Sequence, residues 1–373
     1  MKFSIKKDVL LSSLTTVSKA LSSKNLIPIL SGIKFNLTKE GLFLSASDND
    51  ISIETFIDKS KLEEINAIGT TVIQGKYILE IIRKLEGRVV NIELLDNIKV
   101  LISCGNSEFN LNCMDASEFP NLNIEEKKDP IVIKKTEFKD LINKTSFAVS
   151  TQETRPILTG INFKLSEDNL ECVSTDSYRL AKKMISLDKK IKEEINVVVP
   201  GRNLIELTKI LSETDDNVEM HIFSNKILFK FDNTLFQSRV LSGTFPDVNR
   251  LIPEKFELEI KVNANDFYNV IDRASLLTSE KDKNIIKFEC IENDVIVSSN
   301  SPEIGRVEEK ISVEKNNKND IKIAFSSKFM MDAIRTIESK NVILKFNNEV
   351  QPIIIMDEKD ETLLQLILPI KTY

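Results

Sequence analysis

The sequence predicts an α+β fold laid down three times, as three repeated domains of antiparallel strands with two helices each, filling nearly all of the 373 residues. Three observations predict it. Pro28–Leu37 (PILSGIKFNL) recurs as Pro156–Leu165 (PILTGINFKL), seven of ten residues identical at an offset of 128. Gly75-Lys76, Gly201-Arg202 and Ser327-Lys328 stand 126 residues apart. Glu118-Phe-Pro-Asn-Leu122 returns as Thr244-Phe-Pro-Asp-Val248, again 126 residues on.

Each copy opens with a helix, predicted over Asp8–Ala20, Phe138–Val149 and Phe267–Leu277, with Leu10/Leu14, Phe138/Ile142 and Phe267/Ile271 on one face. Strands follow. Ile33/Phe35/Leu37 and Ile161/Phe163/Leu165 alternate with polar residues, the period of a strand with one face buried. The first match continues without a gap, Leu42, Ser47 and Asp48 falling on Leu170, Thr175 and Asp176, and a weaker third copy runs through Ile286, Phe288, Val295 and Val297. A second helix follows each Gly or Ser: Ile78, Ile81, Ile82 and Leu85 make the apolar stripe of Lys76–Leu85, and Leu204, Leu207, Thr208 and Leu211 echo it. Charged, Pro-containing stretches at Glu125–Pro130 and Asn249–Lys255 read as linkers, giving domains 1–127, 128–253 and 254–373.

Composition narrows the class. Apolar residues are 41% and charged residues 29% of the chain, which places it among globular proteins rather than disordered ones. No apolar run approaches the roughly 20 residues of a membrane span, and Met1–Lys7 leads into a polar-patterned segment unlike a signal peptide, so a cytoplasmic location without membrane partners is expected. Cys104, Cys113, Cys172 and Cys290 form no CxxC pair and read as buried thiols. A net charge of −6 excludes a uniformly basic nucleic-acid binder but leaves room for a positive surface gathered on one face.

Catalytic chemistry finds no foothold. The sole histidine, His221, sits in the alternating stretch Val218–Phe223, where a core strand position explains it. Asp48 and Asp176 lie beside Ser, Thr and Asn, a setting in which carboxylates close turns. Gly75 and Gly201 belong to no phosphate-binding loop, and a tight backbone turn before a helix accounts for them. Metal-ligand spacing is absent as well. The expectation is a protein that binds without reacting, with no catalytic residue, cofactor or metal.

The second helix of each copy carries a cation at its start and another seven residues later: Lys76 and Arg83, Arg202 and Lys209, Lys328 and Arg335. Seven residues are two turns, so both cations share a face away from the apolar stripe. Glu80, Glu206 and Asp332 stand at i+4 from the first cation, so a solvated, salt-bridged face is one reading. The other is a surface facing a polyanion through phosphate contacts that ignore base sequence.

PILSGIKF with SASDND, RPILTGINF with STDSYRL, TFPDVNRLIP, LLTSEK and the tail VQPIIIM with LILPIK together resemble the bacterial sliding clamp family, the beta subunits of the replicative DNA polymerase III holoenzyme. The resemblance spans the whole chain, and its specificity lies in the ordered set of motifs. It implies a processivity factor rather than an enzyme: a head-to-tail homodimer whose six domains close a ring around duplex DNA, helices inside and sheets outside. DNA would face Lys24, Lys144, Gln152 and Arg273 in addition to the six repeated cations.

The resemblance places the dimer contact at Phe109 and Leu111 against Leu276 and Leu277, an edge-to-edge junction. It places a cleft for a short hydrophobic partner peptide at Leu158, Thr175, Ser177, Tyr178, Arg179, Leu180, Pro246, Leu251, Pro352, Leu366, Leu368, Pro369, Ile370 and Lys371, with Arg179 and Lys371 at the rim. The implied partners are the polymerase alpha subunit, the clamp loader and other proteins bearing the clamp-binding motif. Tyr178 stands where the family often has histidine, Leu368 and Ile370 replace methionines, and Thr372-Tyr373 extends the tail toward the cleft. A β-rich repeat scaffold or adhesin is the rival reading, with a hydrolase behind it.

Overall fold

The computed structural model describes residues 1–21, 27–96, 98–279 and 284–371. Six helices are found among them: α1 (Lys7–Val17), α2 (Gly75–Lys84), α3 (Lys135–Asn143), α4 (Gly201–Ile210), α5 (Ala264–Ser275) and α6 (Ser327–Ile334). Four begin one to three residues before the apolar stripe that predicts them, their first residues being Lys7, Gly75, Lys135 and Ala264, none of them a large apolar residue. The first and third end early, Ser18–Ala20 and Ser146–Ala148 being single 3-10 turns. The chain divides into two compact units, residues 1–138 with 202–240 and residues 139–201 with 241–373.

The first unit is one antiparallel sheet of thirteen strands with helices packed on it. Its order runs Ile131–Lys134, Asn217–Ile222, Lys226–Phe231, Thr234–Arg239, Ile51–Asp58, Gly41–Ser47, Gly32–Leu37, Gly69–Gln74, Ser107–Met114, Lys99–Cys104, Val89–Leu95, Lys2–Lys6 and Leu62–Ala67. The join between copies is a full ladder, Phe236 opposite Ile53 and Gln237 opposite Ser52. Gly32–Leu37 buries Ile33, Phe35 and Leu37 and leaves Lys34 and Asn36 half-exposed, as its alternation requires. Helix α1 buries Leu10, Leu14 and Val17. Phe138 packs on Phe229 with ring centroids 5.2 Å apart.

In the second unit a nine-stranded sheet runs Ile195–Pro200, Gly160–Ser166, Asn169–Thr175, Arg179–Ser186, Leu363–Ile367, Ile353–Asp357, Asn341–Phe346, Leu258–Asn263 and Glu314–Lys315. A second sheet runs Gly305–Ser312, Asp294–Ser301, Ile285–Ile291 and Ile321–Ser326. The join again is a ladder, Leu180 opposite Leu366. Helices α5 and α6 pack together, and Phe288 centres the core with Phe267, Phe325 and Phe346 around it at 5.6–6.0 Å.

The repeated glycines have a different cause from the backbone turn expected of them. Neither Gly75 nor Gly201 has a positive φ. A Cβ at Gly75 would lie 2.3 Å from Leu21 Cδ1, and one at Gly201 2.9 Å from Val149 Cγ1. Close packing at these two helix starts leaves no room for a side chain unless Leu21 or Val149 shifts. The third copy has Ser327 there, fully buried.

Candidate functional site

On α2, Ile78 and Ile82 are buried while Lys76 and Arg83 are exposed; α4 repeats this with Arg202 and Lys209, and α6 with Lys328 and Arg335. The acid on each helix pairs with the second cation rather than the first. Glu80 bonds Arg83, Glu206 meets Lys209 at 2.6 Å, and Asp332 meets Arg335 at 3.5 Å. An acid preceding a base by one turn is the favoured order on a helix. Lys76, Arg202 and Lys328 are thus left exposed without a carboxylate partner among the described residues. Arg335 also donates to the Tyr268 hydroxyl at 2.6 Å.

Of the other cations, Lys24 lies outside the described residues. Lys144 is not a surface group: its Nζ lies 2.9 Å from Asp140, 3.3 Å from Glu338 and 3.6 Å from Asp360, and its side chain is 8% exposed. A buried ammonium surrounded by carboxylates is unavailable to phosphate, which corrects the expectation for this position. Burial alone would lower its pKa; Asp140 and Glu338 outweigh that and raise it. Lys183 joins the cluster through Asp360 at 2.5 Å. Gln152 is exposed, and Arg273 is exposed but holds Glu309 through two bonds of 2.9 and 2.8 Å.

Phe109 and Leu111 lie on Ser107–Met114, opposite Ile102 and Val100 on one side. On its other side only Cys113 and Met114 pair, with Ile73 and Val72, so Ser107–Asn112 is an open sheet edge among the described residues. Phe109 is 38% exposed. Leu276 follows α5 and is 75% exposed, with Leu277 half-buried beside it. Among the described residues the second unit has an open edge of its own at Gly305–Ser312.

The predicted cleft residues divide by depth. Leu158, Leu180 and Leu366 are buried together with Val173, Val198, Phe245, Val248 and Ile354, and Leu368 packs partly buried against them. They form a floor. Tyr178 and Leu251 stand exposed above it at 62% and 49%, and Pro246, Pro352, Pro369 and Ile370 are half-buried. The tail is tied at two points, Leu368 N donating to Tyr178 O at 2.9 Å and Ile370 N to Ala324 O at 2.7 Å. Beside it a cleft of about 460 Å³ opens among Ile370, Lys371, Val350 and the strand Ile321–Ser326. Thr372 and Tyr373 lie outside the described residues.

Arg179 differs from the free rim group expected. Its side chain is 10% exposed, bonded to Asp176 at 3.0 Å and Asp332 at 2.7 Å, with the rings of Phe147 and Phe329 5.4 and 4.4 Å from its guanidinium carbon. Both carboxylates and both rings hold it, so its charge is already engaged within the protein. Phe147 and Phe329 carry no signal in the sequence as partners of Arg179, and Asp332 is marked there only by its spacing from Lys328.

The turn carboxylates behave as expected. Asp48 Oδ1 accepts from Asp50 N and Ile51 N at 3.0 and 2.8 Å, and Asp176 Oδ1 from Tyr178 N and Arg179 N at 2.9 and 3.0 Å. Asn49 and Ser177, the equivalent residues, both have positive φ, 76° and 79°. Ser177 and Thr175 therefore shape the cleft through the backbone: Thr175 Oγ1 donates to Arg179 O at 2.6 Å.

Comparison with known proteins covers the chain end to end. Residues 1–123 match the DNA polymerase III beta subunit N-terminal domain, 132–247 its central domain and 249–371 its C-terminal domain. The chain is 43% identical to the "Beta sliding clamp" of Bacillus subtilis (strain 168) over 378 aligned positions and 39% identical to that of Staphylococcus aureus (strain N315) over 377, covering all of each chain. It superposes on the crystal structure of the Bacillus subtilis DNA polymerase sliding clamp with a TM-score of 0.96 at 42% identity, and on the beta subunit from DNA polymerase of Streptococcus pyogenes with 0.95 at 31%, again over the whole of both chains.

Proposed function

Because the chain belongs to the DNA polymerase III beta subunit family, the beta sliding clamps, we propose that it encircles duplex DNA as a head-to-tail dimer of three-domain chains and tethers replication proteins to it. It is a DNA sliding clamp. Domain boundaries near 127/128 and 253/254 follow from the repeats, and Lys76, Arg202 and Lys328 face the phosphates.

The observation that carries this reading is the threefold recurrence of an exposed cation, free of ion pairing among the described residues, at the start of α2, α4 and α6. A few unpaired charges supply weak, sequence-indifferent attraction that salt screens, which suits a protein that must slide. Retention then rests on topology. The open edge with Phe109 and Leu111 meets the third domain of the partner chain beside Leu276 and Leu277, since an unpaired strand edge and an exposed leucine both call for cover.

Partner peptides lay an apolar tip on the floor of Leu158, Leu180 and Leu366, under Tyr178 and Leu251, with the tail at Ile370 and Lys371 closing one side. The polymerase alpha subunit, the clamp loader and other motif-bearing proteins are the partners this site suits.

The test is retention on nicked circular DNA, after loading by a cognate loader with ATP, before and after a single cut through the circle. Release on cutting is expected, and equal retention on both forms overturns encirclement. For the cleft, deleting 370–373 removes binding of a fluorescent clamp-binding peptide in a titration, and unchanged affinity overturns the assignment.

A further inference from the structure

The segment after Phe119-Pro120 lies across one face of the first unit's sheet and is held there by side chains from three strands. Gln237 Nε2 donates to Leu122 O at 3.3 Å, Lys226 Nζ to Asn123 O at 2.5 Å, and Lys230 Nζ to Glu126 at 2.6 Å. Register puts these groups on one face, Gln237 opposite Leu228, Leu228 opposite His221, and Lys230 opposite Glu219. The last tie differs in kind: the backbone N–H of Lys127 donates to His221 Nδ1 at 2.9 Å.

That bond fixes the imidazole's proton. Nδ1 offers its lone pair to an N–H, so the neutral ring carries its hydrogen on Nε2. His221 is 1% exposed, and among the described residues its Nε2 has no hydrogen-bond partner, the nearest carboxylate being Glu219 at 3.5 Å. Glu126, Glu219 and His221 offer ligand atoms within 4.8 Å of one another, as a cation site would. A metal on Nε2 requires the opposite tautomer, with Nδ1 donating. Nδ1 accepts here, so these residues do not make a metal site.

We propose that His221 is a proton-operated latch on the strap of residues 122–127. Taking up a proton from solvent, the ring gains an Nδ1–H that points at the Lys127 N–H, and the strap's tie at that point is lost because two donors face each other. Glu219 on the same strand and Glu126 on the strap face the ring. Lys230 on the neighbouring strand is drawn off by Glu126, and the Lys127 ammonium lies over the Phe223 ring at 5.0 Å. The strand on the other side, Ile131–Lys134, sets Val132 opposite Glu219 and the cation of Lys134 on the same face opposite Asn217, four residues along the strand from His221. The strap is therefore closed with the ring neutral and released with it charged.

A single histidine gives a single imidazole signal, so the test is direct on the full chain. Long-range nitrogen–proton correlation at about pH 8 is expected to show the Nε2–H tautomer; an Nδ1–H tautomer overturns the latch, as does a zinc titration that shifts Nε2 into a metal-bound position. Amide hydrogen exchange of residues 122–127, corrected for intrinsic rates, is expected to lose at least about tenfold protection between about pH 8 and about pH 5.5 while strand amides of the same sheet do not. His221→Gln keeps an acceptor that cannot take the proton, and its strap is expected to show no such loss. Equal protection of the wild-type strap at both pH values, or the same loss in the variant, overturns the proposal.

Discussion

Arg179 and Asp332, 153 residues apart in sequence, form a 2.7 Å ion pair that fastens the strand Arg179–Ser186 to helix α6. With Asp176 bonded to its Nε and the rings of Phe147 and Phe329 close by, the guanidinium is a keystone of this region. Lysine keeps the charge but loses the planar fork and the stacking. Arg179→Lys is expected to lower stability by about 1–3 kcal/mol in denaturant unfolding and to weaken partner-peptide binding in an anisotropy titration. Unchanged values in both would show that the keystone bears no load.

The Lys144–Asp140–Asp360–Lys183 cluster makes stability depend on acid. Burial raises the Asp360 pKa, but the bonds from Lys183 and Thr362 and the charges of Lys183 and Lys144 outweigh it, so the carboxyl sits below its usual value. A lowered carboxyl pKa contributes stability fully present above the unfolded value of about 4 and lost as pH falls through the folded one. Asp360→Asn is expected to destabilise by about 2 kcal/mol at pH 7 and to flatten the acid limb of thermal unfolding below about pH 4. An acid limb identical to the wild type's would remove Asp360 from the account.

Cations that differ in pairing should differ in their effect on DNA. Arg202 has no carboxylate partner among the described residues, whereas Lys209 is held by Glu206. In equilibrium binding of unloaded protein to short duplexes, Arg202→Gln is expected to reduce the slope of log affinity against log salt by about 1, and Lys209→Gln by clearly less. Equal slopes for both variants would mean that helix pairing does not select the DNA contacts.

Leu276 is largely solvent-exposed in the single chain, so replacing it by Asp is expected to change folding by less than about 0.5 kcal/mol. In the proposed junction the same change buries a carboxylate. Leu276→Asp should therefore sediment at the monomer mass of 42.4 kDa while keeping its melting temperature. A dimer mass would place the junction elsewhere.

The repeats made most of the architecture readable. Period-two and helical patterns identify core residues such as Phe35, Phe163 and Ile78 because burial writes itself into local spacing. Helix starts were read late at Asp8, Lys76, Phe138 and Phe267 since the first turn of each carries no stripe. Charge was harder. Lys144 looks like any surface lysine until Glu338 and Asp360, about two hundred residues away, close on it. Arg179 is hidden in the same way by Asp332. Such pairings are set by tertiary register, which no local window contains. The acid–cation choice on the second helices was misjudged for a smaller reason, that i+3 and i+4 are both within reach and only geometry selects.

The open edges at Ser107–Asn112 and Gly305–Ser312 are unlike one another in sequence. Joining unlike ends is a polar operation: each copy added leaves one end of each kind still available, so the contact by itself has no stopping point and builds a filament as readily as a circle. In the proposed head-to-tail dimer growth ends after two copies, when the last edge meets the first. On that proposal, a change that spoils the return contact yields open polymers rather than smaller rings.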